Sequence, residues 1–171
     1  MKLVICEKPS VGAAVAAALG VTGKKDGYIE NDKYIISWCI GHLVQLSEAA
    51  AYGEQYRKWS YDSLPILPQE WQYTVAADKG KQFKILKDLM HRADVSEVVN
   101  ACDAGREGEL IFRFVYHQAG CKKPFTRLWI SSMETDAIRS GFEHLKDGRG
   151  YDTLYHSALC RAKADWLIGI N

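Results

Sequence analysis

Two apolar runs in this chain each end in an acid. Lys2 to Cys6 runs into Glu7, and Val95 to Cys102 runs into Asp103. After Asp103 come Ala104, Gly105, Arg106, Glu107, Gly108 and Glu109. Carboxylates at this density suit a hard divalent cation, and Mg²⁺ typically uses one or two carboxylates and keeps several waters. Asp103 and Glu107 have the i, i+4 spacing that lets two side chains meet across the first turn of a helix. Arg106, beside them, is suited to offset their repulsion or to engage a phosphate. A nucleotide loop fits less well, because the segment has neither G-x-x-x-x-G-K-[ST] nor G-x-G-x-x-G. For any single acid here, the competing role is a helix-start carboxylate favoured by the macrodipole. Acids at two strand ends, with an arginine and glycines between, point instead to metal and phosphate chemistry.

The elements that must position these residues are legible in outline. Lys2 to Cys6 reads as a buried strand. Ser10 is the expected N-cap of the Ala-rich helix that follows, and Gly20 the residue just past its end. The Asn-Asp pair within Tyr28 to Trp38 predicts a hairpin. Residues 47–72 predict a long ordered loop with short helical pieces. Lys79 to Arg92 places Phe83, Leu86 and Met90 on one helical face. Val95 to Cys102 is a second strong strand, Glu109 to His117 continues as helix, and Phe125 to Ile130 is a third strand. Ser131 to Glu134 fits a capping box that opens a helix through Leu145. Asp147 to Gly150 is a break, and Asp152 to Ile168 a last helix. Strands alternating with helices predict an α/β fold, a mainly parallel central sheet with helices on both faces. In such sheets, sites gather beyond the carboxyl ends of the strands.

Composition excludes several classes. The 171 residues are 47% hydrophobic and 25% charged, as in a globular domain. No apolar stretch approaches the roughly 20 residues that span a bilayer, so no membrane partner is expected. Five cysteines without a Cys-x-x-Cys pair predict reduced thiols in a cytoplasmic protein. The formal net charge of +1 means that any nucleic-acid groove is local or completed by another part of a larger protein.

Five segments carry a more specific signal: Glu7-Lys8-Pro9-Ser10, Trp38 to Leu43, Asp103 to Ile111, Arg127 to Ser132, and Arg161 to Asn171. In this order and spacing they resemble the type IA DNA topoisomerases, in the bacterial topoisomerase III-like branch. The resemblance implies a Rossmann-like TOPRIM domain over residues 1–150, with residues 151–171 as the first helix of the next domain. Such enzymes cut one DNA strand with a tyrosine, pass another strand and reseal, so relaxing or decatenating DNA. The Arg-x-x-x-Thr-Asp context of that tyrosine does not occur here, and the chain is expected to be an N-terminal piece, inactive alone.

By the same resemblance, Mg²⁺ is the cofactor, with Glu7, Asp103 and Glu107 as its ligands. Glu7 also takes part in proton transfer at the 3′-oxygen, which would need its acidity tuned by burial or neighbouring carboxylates. Lys8 stabilises phosphate charge as a compact cation. His42, Arg106 and Arg161 face DNA. Trp59 is suited to stacking on a base, with a core or interface anchor as its competing role. The partners implied are a single-stranded segment of DNA and the remaining domains of the parent chain, in the nucleoid-associated cytoplasm of a bacterium. A self-sufficient TOPRIM nuclease or primase-like phosphotransferase, and a non-catalytic docking module, are the competing functions.

One departure stands out. The family junction usually reads Asp-x-Asp-x-Glu, and here Gly105 takes the place of the middle acid. Glu109, two positions beyond Glu107 in a helix, points to a different face and is a poor substitute. One fewer carboxylate predicts a single, weak Mg²⁺ site.

Overall fold

The computed structural model describes residues 1–171. Strand β1 (Lys2–Cys6) lies at the centre of a seven-stranded sheet of order β2-β3-β4-β1-β7-β8-β9. Its neighbours are β4 (Tyr34–Trp38) and β7 (Glu97–Ala101), both parallel to it. Strand β8 (Phe125–Arg127) continues the parallel set beyond β7. The edges are antiparallel: β2 (Gly23–Lys25) and β3 (Tyr28–Glu30) on one side, β9 (Lys146–Asp147) on the other. The expected hairpin is the β3–β4 pair. Asn31 makes its turn by accepting at Oδ1 from the amides of Lys33 and Tyr34.

The central strands read as continuous Val/Ile runs because both sheet faces are covered. Side chains alternate across the sheet. Leu3, Ile5, Ile35 and Val98 join the core with α2 (Gly80–Met90), α3 (Arg106–Gln118) and α5 (Asp152–Ile170). Val4, Cys6, Ile36 and Val99 join a second core with α1 (Pro9–Leu19) and α4 (Thr135–Glu143). The expected α2 face is present: Leu86 and Met90 are wholly buried, and Phe83 packs beside them.

Boundaries shift where local chemistry differs from the expected signals. Helix α1 begins at Pro9, so Lys8 is the N-cap and Ser10 lies inside the first turn. Proline suits that start because its missing N–H is one the helix would leave unpaired. At the other end Gly20 takes φ 68°, the left-handed conformation that glycine adopts without Cβ strain. The capping box at 131–134 does not form. Glu134 is the N-cap of α4 without a side-chain bond, and Ser132 Oγ instead accepts from the Glu134 amide at 3.2 Å. Strand β8 is shorter than expected: after Arg127, only the Leu128 amide reaches a strand partner, Asn100 O at 3.0 Å.

Between β4 and α2 the chain makes β5 (Val44–Leu46), three short 3₁₀ turns, β6 (Tyr73–Val75), which pairs antiparallel with β5, and a fourth 3₁₀ turn (Ala77–Lys79). The break at Asp147 is a 3₁₀ turn (Gly148–Tyr151) whose Arg149 amide donates to Asp147 Oδ1 at 2.9 Å. It leads directly into α5. The expected division after residue 150 coincides with this turn, while Tyr155 and Ala158 of α5 share one core with α3. No helix is long and apolar enough to cross a membrane.

Candidate active site

The carboxyl ends of β4, β1 and β7 lie side by side, and each delivers a sequence-predicted residue. Glu7 follows β1 and is nearly buried, at 9% exposure. Its Oε2 accepts from the Asp103 amide at 3.4 Å, and its carbonyl accepts from Gly41 at 3.3 Å. The first strand end is thereby tied to both neighbours. Asp103 is exposed at the end of β7, and Lys8 is exposed at the mouth of α1. After β4, the chain turns through Gly41 at φ 62° and presents His42. The His42 Nε2 and Glu107 Oε1 atoms are hydrogen-bonded, which joins the β4 loop to the first turn of α3.

The two glycines of the junction have different roles. A Cβ at Gly108 would lie 2.1 Å from the Asp103 carbonyl oxygen and 2.8 Å from its nitrogen. Glycine at 108 is what lets α3 begin so close to the end of β7. Gly105 is the N-cap of α3, with φ 169° and ψ 179°, an extended conformation open to any residue. A Cβ there would meet nothing within 4 Å. The α3 N-terminus therefore has room for a capping side chain and carries none.

Beside these strand ends is a cleft of about 580 Å³. Its wall includes His42, Arg106, Glu107, Arg161, Asp165 and Trp166. The start of α3, the middle of α5 and the loop after β4 thus bring together four predicted residues. Arg161 Nε lies 3.6 Å from Asp165 Oδ2, one turn along α5. Trp59 does not join them. Its Nε1 donates to Ile170 O at 3.2 Å, at the far end of α5, and its ring stands edge-on to Tyr61. It remains 57% exposed. Lys163 Nζ sits over the Trp71 ring, 5.3 Å from its centroid.

The donor set can be weighed against the Mg²⁺ that the fold implies. Glu7, Asp103 and Glu107 offer only hard oxygens, the right chemistry for that ion. Their arrangement is narrower than three ligands: no group of three His, Cys, Asp or Glu side chains is gathered for a metal. Glu7 and Asp103 are brought together, and Glu107 is turned to His42. Two carboxylates with waters is an ordinary Mg²⁺ shell.

Beneath the junction lies a buried polar network that the sequence pattern did not single out. Glu109 and Arg127 are both wholly buried. Glu109 Oε1 accepts from Arg113 Nε at 3.0 Å, and Oε2 from Asn100 Nδ2 at 3.1 Å. Arg127 Nε lies 3.0 Å from Glu109 Oε2, an ion pair by distance, although the angle is not that of a hydrogen bond. Burial pushes the Glu109 carboxyl up, against the pull of Arg127 and Arg113. Burial also pushes the Arg127 guanidinium down, opposed chiefly by Glu109. Arg113 further reaches Asp152 Oδ1 at 2.8 Å and Gly148 O at 2.9 Å, tying the start of α5 to α3. The Glu109/Arg113 half was visible as an i, i+4 pair. No sequence signal joined Arg127 to it. All five cysteines are free. Cys6, Cys39 and Cys102 are buried beside the strand-end acids; burial pushes the Cys6 thiol up, and the hydrogen bond with Cys39, followed by burial, pushes the Cys102 thiol up.

The chain is similar to known proteins over nearly its whole length. The chain is 47% identical over 169 residues to DNA topoisomerase 3 of Bacillus licheniformis, covering 99% of this chain and 23% of that protein. It is 49% identical over 170 residues to DNA topoisomerase 3 of Shouchella clausii, again 99% of this chain and 23% of that one. The chain thus spans less than a quarter of the length of these relatives. Among solved structures, full-length topoisomerase I from Thermotoga maritima shares the fold, with a TM-score of 0.53 at 17% identity, over 85% of this chain and 21% of that one. The Toprim domain model matches residues 2–133, from the first strand through the junction and beyond β8. The match takes in most of this chain, and the chain belongs to the Toprim domain family.

Proposed function

We propose that this chain is the metal- and phosphate-handling part of a type IA DNA topoisomerase, with residues 151–171 opening the next domain. The observation that carries this reading is the juxtaposition of Glu7 and Asp103 at adjacent strand ends, beside a cleft walled by His42, Arg106 and Arg161. Mg²⁺, when bound, supplies charge neutralisation at the phosphate that is cut and rejoined. Glu7 and Asp103 hold it, with Glu107 as the third carboxylate once His42 releases it. Glu7, shielded from water, moves a proton to and from the 3′-oxygen. Lys8 and Arg106, both exposed at the same rim, offset phosphate charge. His42 and Arg161 line the path of a single DNA strand. Trp59 stacks on a base farther along, beside the end of α5. The nucleophilic tyrosine belongs to the remaining domains of the parent protein, which acts on DNA in the bacterial cytoplasm, at the nucleoid.

The test is a magnesium titration of the chain followed by amide NMR, paired with a relaxation assay of the longer parent protein. Shifts should centre on Glu7 and on residues 103–107, and Glu7→Gln in the parent should abolish relaxation. Shifts elsewhere, or an active Glu7→Gln parent, overturn the reading. Mg²⁺-dependent nicking by the 171-residue chain alone would favour a self-sufficient nuclease instead.

A further inference from the structure

We propose that Arg127 is a positioning residue for the acidic junction: it clamps the Asp103 backbone from below and so sets where the Asp103 carboxylate stands. The inference rests on reading Asp103 as part of the site. Pairing between β7 and β8 stops at Asn100 and Arg127, so the carbonyls of Cys102 and Asp103, just beyond β7, have no strand partner on that side. Buried backbone carbonyls need one. The Arg127 guanidinium provides it. Nη1 donates to Cys102 O at 2.6 Å and to Asn100 O at 3.1 Å, and Nη2 donates to Asp103 O at 2.6 Å.

A wholly buried cation is costly unless paired and fully hydrogen-bonded. Here Glu109 balances the charge, and the fork of donors is spent on the carbonyls that carry the junction. The other sides of Asp103 are held as well. Its amide donates to Glu7 Oε2, and Gly108 packs against its carbonyl with no room for a Cβ. A lysine could not replace the clamp, because a single ammonium cannot span carbonyls that a planar fork reaches from two nitrogens. The acids of one helical turn thus divide the work: Glu107 faces His42 in the cleft, and Glu109 faces the clamp below.

The test compares Arg127→Lys and Glu109→Gln with the unaltered chain by amide hydrogen exchange and by Mg²⁺ titration under NMR. A positioning role predicts that exchange at Cys102 and Asp103 rises about tenfold in Arg127→Lys, the scale of one lost hydrogen bond to a charged donor. Exchange at Val4 and Val99, in the same sheet, should change far less. The Mg²⁺ concentration at half-saturation should rise about tenfold as well. Uniform acceleration across the sheet, or an unchanged Mg²⁺ midpoint in the folded variant, would show a purely structural arginine and overturn the proposal. If Arg127→Lys does not fold, Glu109→Gln carries the same comparison, with the same local pattern expected. If the unaltered chain shows no Mg²⁺ response at Glu7 and Asp103, the site reading fails, while the exchange comparison still decides whether Arg127 positions the loop.

Discussion

Glu107 and Glu109 sit two residues apart in the first turn of α3 and live in opposite surroundings. Glu107 is 67% exposed and meets His42 across the cleft, whereas Glu109 is wholly buried among Arg113, Arg127 and Asn100. The rim is exposed to solvent, as the proposed metal and phosphate site requires. The network beneath is closed, with nearly every donor and acceptor used. The difference teaches that two acids of one helical turn can serve opposite ends, and on the proposed reading one presents charge to a ligand while the other belongs to the network that holds the junction still.

The comparison is broken most severely from below. Glu109→Ala leaves Arg127 and Arg113 facing an empty buried site, and removal of one partner of a buried pair costs about 3–5 kcal/mol. Urea unfolding should show a loss of that size, or failure to fold. Gly108→Ala attacks the seam between the rim and the network. Its methyl must displace the Asp103 backbone, so a loss of about 1–3 kcal/mol is expected from overpacking, together with a shifted Asp103 amide resonance. At the rim the stability cost is small. Glu107→Gln breaks a solvent-exposed pair and should change stability by less than about 1 kcal/mol, while weakening Mg²⁺ binding in a calorimetric titration. The smallest stability effect is expected at Gly105→Asp, where the Cβ has open space and an N-cap oxygen is gained. Asp at an N-cap exceeds Gly by only about a few tenths of a kcal/mol, so thermal melting should show a slight rise. The same change restores the family's middle acid and should lower the Mg²⁺ concentration needed for half-saturation. An unchanged midpoint would mean that the missing acid is immaterial.

Much of this was legible beforehand because the signals are local. The Val/Ile runs at 2–6 and 97–101 become strands wherever they are covered on both faces, and Gly20 ends its helix by backbone freedom alone. The capping box at 131–134 failed because its pattern tests only four residues, and the N-cap of α4 is Glu134, three residues beyond the expected Ser131, with Ser132 turned to the Glu134 amide. Trp59 was legible as an aromatic that would find a partner, but not which one. Its partner, Ile170 O, lies 111 positions away.

What the sequence determined by itself is the α/β alternation, the acids at the ends of β1 and β7, and the glycine Gly105 between Asp103 and Glu107, because each is a matter of residue type and short spacing. Only the tertiary structure decided which acids meet, that Glu107 belongs to His42 and Glu109 to Arg127, and that Gly108 rather than Gly105 is sterically required. Those outcomes depend on strand order and on the packing of α3 against β7. The acid pairings join residues far apart in the chain, and no local pattern encodes such a distance.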